Sequence, residues 1–272
     1  MDLKDRVAVV TGGGGGIGEG VCLCLAREGA QVVVSDIKED LARKVAAKVE
    51  ETGRRSLTVK TDVSKEKECD ALIETALREM GGLDILVCSA GTAGVRFMSS
   101  SENASAVENI PLEVWDITMD VNLKGVFLTN RAAIRHFKQQ KSGKIINISS
   151  VAGRKGGTTL PVYGASKAGV INLSQAIALQ VAPFNINVNT ICPGLIWTPL
   201  WAEGMKRMLE MRAEPADVTP EEAWNLMAKS STPLGRPQTA EDIGHLAAFL
   251  VSDRAKEITG QAFNVDGGLQ LN

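Results

Sequence analysis

The sequence predicts an α/β fold in which a mainly parallel, doubly wound sheet of seven strands carries helices on both faces. Three observations predict it. Strand-like apolar runs alternate with helix-like stretches along almost the whole chain, the order that right-handed crossovers require. Runs such as Ile85-Leu86-Val87-Cys88 are continuously apolar, as strands buried on both faces are. No repeat, low-complexity tract or composition break divides the 272 residues, so one domain over 1–272 is expected.

The elements follow in order. Arg6–Thr11 reads as the first strand. A glycine turn comes next, then a helix over Gly18–Glu28 with Val21 and Leu25 on one face, closed by Gly29. Val32-Val33-Val34 is the second strand and ends at Asp36. Leu41, Val45 and Val49 recur at helical spacing. Ser56–Lys60 is the third strand, and a helix over Lys65–Met80 stops at Gly81-Gly82. Asp84–Cys88 is the fourth strand. Residues 92–112 read as loop, and a long helix runs from Glu113 to Lys138. Lys144–Ser149 is the fifth strand. Tyr163–Val181 is helical up to Pro183, and Ile186–Ile191 is the sixth strand. A mixed insert fills 195–232. Ala240–Val251 and Ala262–Val265 supply the last helix and strand.

Bulk properties exclude several classes of function. The residues are 44% hydrophobic and 23% charged, with a net charge of −2, so nothing basic marks a nucleic-acid or membrane partner. No apolar stretch is long enough to span a bilayer. The first six residues are charged and lack a signal-peptide core, so a cytoplasmic location is expected. The five cysteines are odd in number and scattered, which suggests neither disulfides nor a zinc site. No metal site is expected around His136 or His245.

Ligands of such sheets sit beyond the carboxyl ends of the strands. That rule puts Gly12–Gly18, Asp36, Asp62-Val63, Ser89-Ala90-Gly91, Ser149-Ser150 and Pro193-Gly194 on one rim. The order strand, glycine turn, helix, strand, acid is that of a Rossmann-type dinucleotide site. Glycines let the backbone approach a pyrophosphate, and the following helix offers free N–H groups and the positive end of its dipole. Asp36 stands where an acid would accept from the adenosine ribose.

Tyr163 is the chain's sole tyrosine, and Lys167 lies one helical turn further on. An ammonium near a phenol stabilises the phenolate, which suits the tyrosine to exchanging a proton with an alcohol. Ser150, after the fifth strand, can hydrogen-bond the same substrate oxygen.

With these motifs in this order, the chain resembles the short-chain dehydrogenase/reductase family along nearly its whole length. Thr11 to Gly18 is similar to the family's T-G-x-x-x-G-x-G turn, which selects Gly12, Gly16 and Gly18, with Ile17 between the last two. Asp62-Val63 resembles the pair that meets adenine. Ala90-Gly91 belongs to the turn after the fourth strand. Pro193 to Thr198 looks like the P-G-x-x-x-T segment that holds the nicotinamide carboxamide, so Pro193, Gly194, Ile196 and Thr198 join the cofactor set. Val265-Asp266-Gly267-Gly268 resembles the family's carboxyl-terminal signature. The resemblance implies that Tyr163 is the acid/base and that Ser150 orients the reacting oxygen. It implies that Lys167 lowers the Tyr163 pKa and binds the nicotinamide ribose, and that Asn122 supports a proton relay. It also implies a homodimer or homotetramer built on the helices near 113–138 and 163–182.

The family usually has N-N-A-G where this chain has Cys88-Ser89-Ala90-Gly91, so the bracing of the glycine turn differs while every reacting group is kept. Asp36 repels a 2′-phosphate, and Gly15 stands where NADP-preferring members often carry a basic residue. Both features favour NAD(H) over NADP. The 195–232 insert is expected to fold over the site as a lid. Its Trp197, Trp201 and Met205, with Trp224, Met208, Met211 and Met227, suit an apolar pocket for a mid-sized or cyclic secondary alcohol or ketone. The same residues would also suit packing of the lid on the body. Lys206, Arg207, Arg212 and Arg96 read as a solvated charged face. If they instead meet substrate, a hydroxyacyl-CoA or other anionic alcohol becomes the alternative. A second alternative is a dinucleotide-binding regulator without turnover, and a third is a dehydratase or epimerase.

Overall fold

The apolar runs pair side by side. The computed structural model describes residues 3–94, 106–210 and 217–271. Its strands are β1 (Val7–Thr11), β2 (Gln31–Asp36), β3 (Ser56–Lys60), β4 (Ile85–Cys88), β5 (Gly143–Ile148), β6 (Ile186–Pro193) and β7 (Ala262–Val265). They form one sheet in the order β3-β2-β1-β4-β5-β6-β7, and every pairing is parallel. The chain winds outward from β1 in one direction through β2 and β3, then returns to the other side of β1 at β4. That reversal opens a crevice at the carboxyl ends of β1 and β4, where such folds bind ligands.

The helices among the described residues are α1 (Gly16–Arg27), α2 (Glu39–Glu50), α3 (Glu66–Met80), α4 (Leu112–Met119), α5 (Gly125–Gln140), α6 (Pro161–Val181), α7 (Pro199–Glu210), α8 (Pro220–Ser231) and α9 (Ala240–Val251). Successive strand residues face opposite sides of the sheet, which gives two cores. Ala8, Val10, Val32 and Val34 pack with Val21 and Leu25 of α1, Val45 of α2 and Ile243 of α9. Val9, Val33, Leu86 and Ile145 pack with Leu72 of α3, Phe137 of α5 and Ile177 of α6. Leu72 is fully buried, so truncation to Ala would cost about 2–5 kcal/mol.

Two elements differ from the sequence expectation. The long helix expected over Glu113–Lys138 is broken between α4 and α5 by a π-helical turn, Asp120–Lys124, a form that recurs at functional sites. The 195–232 insert forms α7 and α8. Thr219 caps α8 by a reciprocal capping box with Glu222. All five cysteines are free and buried, as small hydrophobes are. Among the described residues no helix is long and apolar enough to cross a membrane.

Candidate active site

The glycine turn is built for close approach. Gly12 and Gly16 adopt φ of +63° and +54°, where an L side chain is strained. A Cβ on Gly12 would lie 2.6 Å from the backbone of Ala90, and one on Gly18 would lie 2.1 Å from the Gly12 carbonyl. Gly15, in contrast, is extended, and a Cβ there would meet nothing within 4 Å. Asp36 accepts from the Gly14 N–H at 3.1 Å and from the Lys38 N–H at 2.9 Å, tying the end of β2 to the turn. Thr198 lies against Gly16, 3.2 Å from where its Cβ would be, and Ile196 is buried beside it in sequence. The loop after β6 therefore comes over the start of α1. This bare, open cradle with a free helix N-terminus fits a dinucleotide pyrophosphate.

At the adenine end, Val63 is buried against Cys69 and Leu128. Burial would raise the Asp62 carboxyl, but hydrogen bonds from Ser64 and Lys65 outweigh it and hold the group low. Asp62 is thus held ionised just past the carboxyl end of β3.

Ser150, Tyr163, Lys167 and Asn122 gather at the carboxyl ends of β4 and β5. Ser150 lies close enough to Tyr163 to favour its ionised form and accepts from the Ala152 N–H at 3.1 Å. The Lys167 ammonium stands 5.6 Å from the Tyr163 ring centroid and donates to the Ile148 carbonyl at 3.0 Å. Asn122 lies in the π-helical turn and is fully buried. Its Oδ1 accepts from the Thr92 N–H at 2.8 Å, and its Nδ2 donates to the Thr92 carbonyl and to Ser166 Oγ, each at 2.9 Å. Gly91 separates the two groups. A Cβ there would lie 3.4 Å from Asn122 Oδ1 and 3.5 Å from Lys167 Nζ.

The expected lowering of the Tyr163 pKa is not what this arrangement produces. Burial pushes the phenol up to about 12, against the Ser150 hydrogen bond. Burial likewise pulls Lys167 down to about 8, with neighbouring Cys192 opposing. Part of the cover over Tyr163 comes from the insert. Trp201 of α7 meets the Tyr163 ring at 79°, centroids 5.7 Å apart. Trp201 stacks on Trp224 of α8 at 5.7 Å and 22°, and Trp224 meets Trp197 at 6.1 Å. A cavity of 510 Å³ lies beyond, lined by Trp197, Ala202, Lys206, Thr219, Pro220 and Glu221. The ring stack runs from Tyr163 to this cavity wall at Trp197. Met205 is buried in the same helix and Met208 is half-exposed. Arg96, Met211, Arg212 and the side chain of Arg207 lie outside the described residues.

Three residues take supporting roles that the sequence reading did not assign. Ser149 Oγ donates to the Lys167 carbonyl at 2.7 Å, Ser166 Oγ donates to the Tyr163 carbonyl at 2.7 Å, and Thr92 brackets Asn122. Ser166 was findable, because it sits three residues from Tyr163 on one helix face. Thr92 lay in a stretch without periodicity and gave no signal.

The family model described as "Enoyl-(Acyl carrier protein) reductase" matches residues 12–270. Cis-4-hydroxycyclohexanecarboxylate dehydrogenase of Sinomonas cyclohexanicum is 37% identical over 98% of this chain and 97% of its own. Cyclopentanol dehydrogenase of Comamonas sp. is 34% identical over 99% of each chain. Among solved structures, NAD+-bound xylitol dehydrogenase superposes with a TM-score of 0.87 at 29% identity, over 98% of this chain and 100% of that one. A single-site variant of actinorhodin polyketide ketoreductase with NADPH gives 0.87 at 30% identity, over 99% of each. The chain belongs to the short-chain dehydrogenase/reductase family. It is an oxidoreductase of that family with a dinucleotide-binding Rossmann-type fold.

Proposed function

We propose that the chain oxidises a cyclic secondary alcohol, or reduces the matching ketone, with NAD(H). The observation that carries the reading is Tyr163 buried beside Ser150, with Lys167 5.6 Å from the tyrosine ring, at the same rim as the glycine cradle. The relatives that act on cyclohexane and cyclopentane alcohols and the aromatic walls of α7 and α8 support the ring-containing substrate.

The nicotinamide, when bound, supplies the hydride acceptor for oxidation or the donor for reduction. In oxidation Tyr163 Oη takes the hydroxyl proton, and in reduction it returns a proton to the carbonyl oxygen. Ser150 Oγ holds that oxygen by a second hydrogen bond. Lys167 would hold the nicotinamide ribose and keeps its ammonium near the phenol, and Asn122, bonded to Thr92 and Ser166, would support proton exchange past Gly91. Thr198, Ile196, Gly194 and Pro193 hold the carboxamide side. Asp36, already accepting two backbone N–H groups at the end of β2, would face the ribose, which supports NAD over NADP because a 2′-phosphate would meet a like charge. The α7–α8 insert serves as the lid over a single 1–272 domain. Exposed Leu112, Trp115, Phe127 and Leu179 on α4, α5 and α6 support a homo-oligomer built on those helices.

The test is NADH formation from a panel of cyclic secondary alcohols by the wild type and by Tyr163→Phe. Turnover that depends on Tyr163 supports the reading. Undiminished turnover in the variant sinks it.

A further inference from the structure

The aromatic insert contains a polar atom that its own packing leaves unused. Trp224 is 5% exposed, and its indole Nε1–H is buried without a hydrogen-bond partner among the described residues. A buried tryptophan N–H ordinarily finds an acceptor, and leaving one unpaired costs as much as desolvating the group. The position of the ring narrows what it could serve. Trp224 stacks on Trp201, which itself lies against Tyr163, each step 5.7 Å between centroids. On its other side Trp224 meets Trp197, a wall of the 510 Å³ cavity. Its α8 backbone is pinned by the Thr219–Glu222 capping box and by fully buried Ala228, one turn further on. The ring is therefore a fixed feature of the insert, set one aromatic layer from the proton-transfer residue.

We propose that the Trp224 indole N–H is a binding site for a second, acceptor group of the substrate. The ligand class is a cyclic secondary alcohol carrying a carbonyl or carboxylate oxygen on the side of the ring away from its carbinol. The proposal rests on the alcohol-dehydrogenase reading above and refines it. Binding in this way requires the Trp201 ring, which now lies against both Tyr163 and Trp224, to swing aside. The alcohol oxygen then meets Tyr163 and Ser150, the ring takes the place of Trp201, and the distal oxygen accepts from the Trp224 N–H that Trp201 had helped to cover. An apolar group at that place would leave the N–H unpaired, and sites of this kind reject analogues that lack the bonding atom. The stack thus discriminates by a single donor in walls that are otherwise apolar.

The experiment compares 4-acetylcyclohexanol with 4-isopropylcyclohexanol, which are close in size and differ in the carbonyl acceptor. Wild-type enzyme with NAD is expected to favour the acetyl compound in kcat/KM by at least about tenfold. Trp224→Phe keeps a ring and deletes the donor, and is expected to bring the ratio to within about twofold of one. Circular dichroism and thermal melting establish that the variant is folded. If it is not, the wild-type ratio alone decides. A wild-type ratio near one overturns the proposal, as does a preference that survives in folded Trp224→Phe. Rejection of both compounds by an enzyme that oxidises cyclohexanol also overturns it. Failure of the underlying reading looks different: no secondary alcohol is oxidised at all, or oxidation is indifferent to Tyr163→Phe.

Discussion

The Trp201 and Tyr163 rings meet at 79° with their centroids 5.7 Å apart, so the residue proposed to move the proton is roofed by the insert that would admit the substrate. Burial then raises the phenol to about 12. Alcohol oxidation needs the phenolate as base, so its rate climbs with pH towards that value. Trp201→Ala lets water reach the ring and removes part of the desolvation. The kcat/KM–pH profile for oxidation is expected to move to lower pH by about one unit. An unmoved profile would show that Trp201 does not set the proton affinity.

The proposed preference for NAD assigns the choice of cofactor to Asp36, and open space at Gly15 allows it to be reversed. Two charges about 4 Å apart interact by about 1 kcal/mol in water and about 4 kcal/mol near a protein surface. Asp36→Ala is therefore expected to raise the NADP/NAD ratio of kcat/KM by at least about tenfold. Adding Gly15→Arg should raise it again, because Gly15 has extended backbone and open space around its missing Cβ. Steady-state kinetics with both cofactors check this. A double variant that still prefers NAD as strongly as wild type would assign the selection elsewhere.

Asn122 satisfies both backbone groups of Thr92 and the hydroxyl of Ser166. Asn122→Ala removes the partner of both part-buried backbone groups of Thr92, while Ser166 Oγ keeps its bond to the Tyr163 carbonyl, at a cost of about 2–3 kcal/mol in total. For a chain of this size that is a loss of roughly 5–10 °C in Tm, with a fall in kcat as the π-helical turn relaxes. Calorimetry and turnover should change together. A variant that melts like the wild type would mean that the network is not structural.

The parallel sheet and the rim segments were legible because they rest on local rules: continuous apolar runs, glycines where φ is positive, and an acid after β2. Asn122 could be matched to a motif, but the π-helical turn that buries it could not be read. A widened turn leaves the apolar periodicity of Glu113–Lys138 almost unchanged. The electrostatics of Tyr163 were read with the wrong sign for the same kind of reason. Lys167 is near in sequence and visible, whereas the burial that dominates is a property of tertiary packing, to which Trp201, remote in sequence, contributes. Likewise, the missing partner of the Trp224 indole is a property of packing that no spacing in the sequence carries.

Burial of Lys167 makes stability depend on pH in a defined direction. Its folded pKa of about 8 lies below the ordinary lysine value of 10.5, so the folded state binds that proton less tightly than the unfolded chain. Below about pH 8 both states are protonated and the cost of burying the charge is fully present. Between about 8 and 10.5 the unfolded chain binds more protons, and stability rises with pH. Tyr163 acts oppositely only above pH 10, where the unfolded phenol ionises before the folded one at about 12. The window for Lys167 alone is thus about pH 8 to 10. Lys167→Met removes the titrating group and keeps much of its length. From about pH 7.5 to about 9.5 the unfolding free energy of the wild type should gain about 2 kcal/mol on that of the variant, because one proton held by the unfolded chain alone is worth about 1.4 kcal/mol for each pH step of one. Urea unfolding at several pH values measures the difference, which cancels titrations common to both proteins. A difference that stays flat across the window would mean that Lys167 keeps its ordinary proton affinity beneath Trp201 and Tyr163.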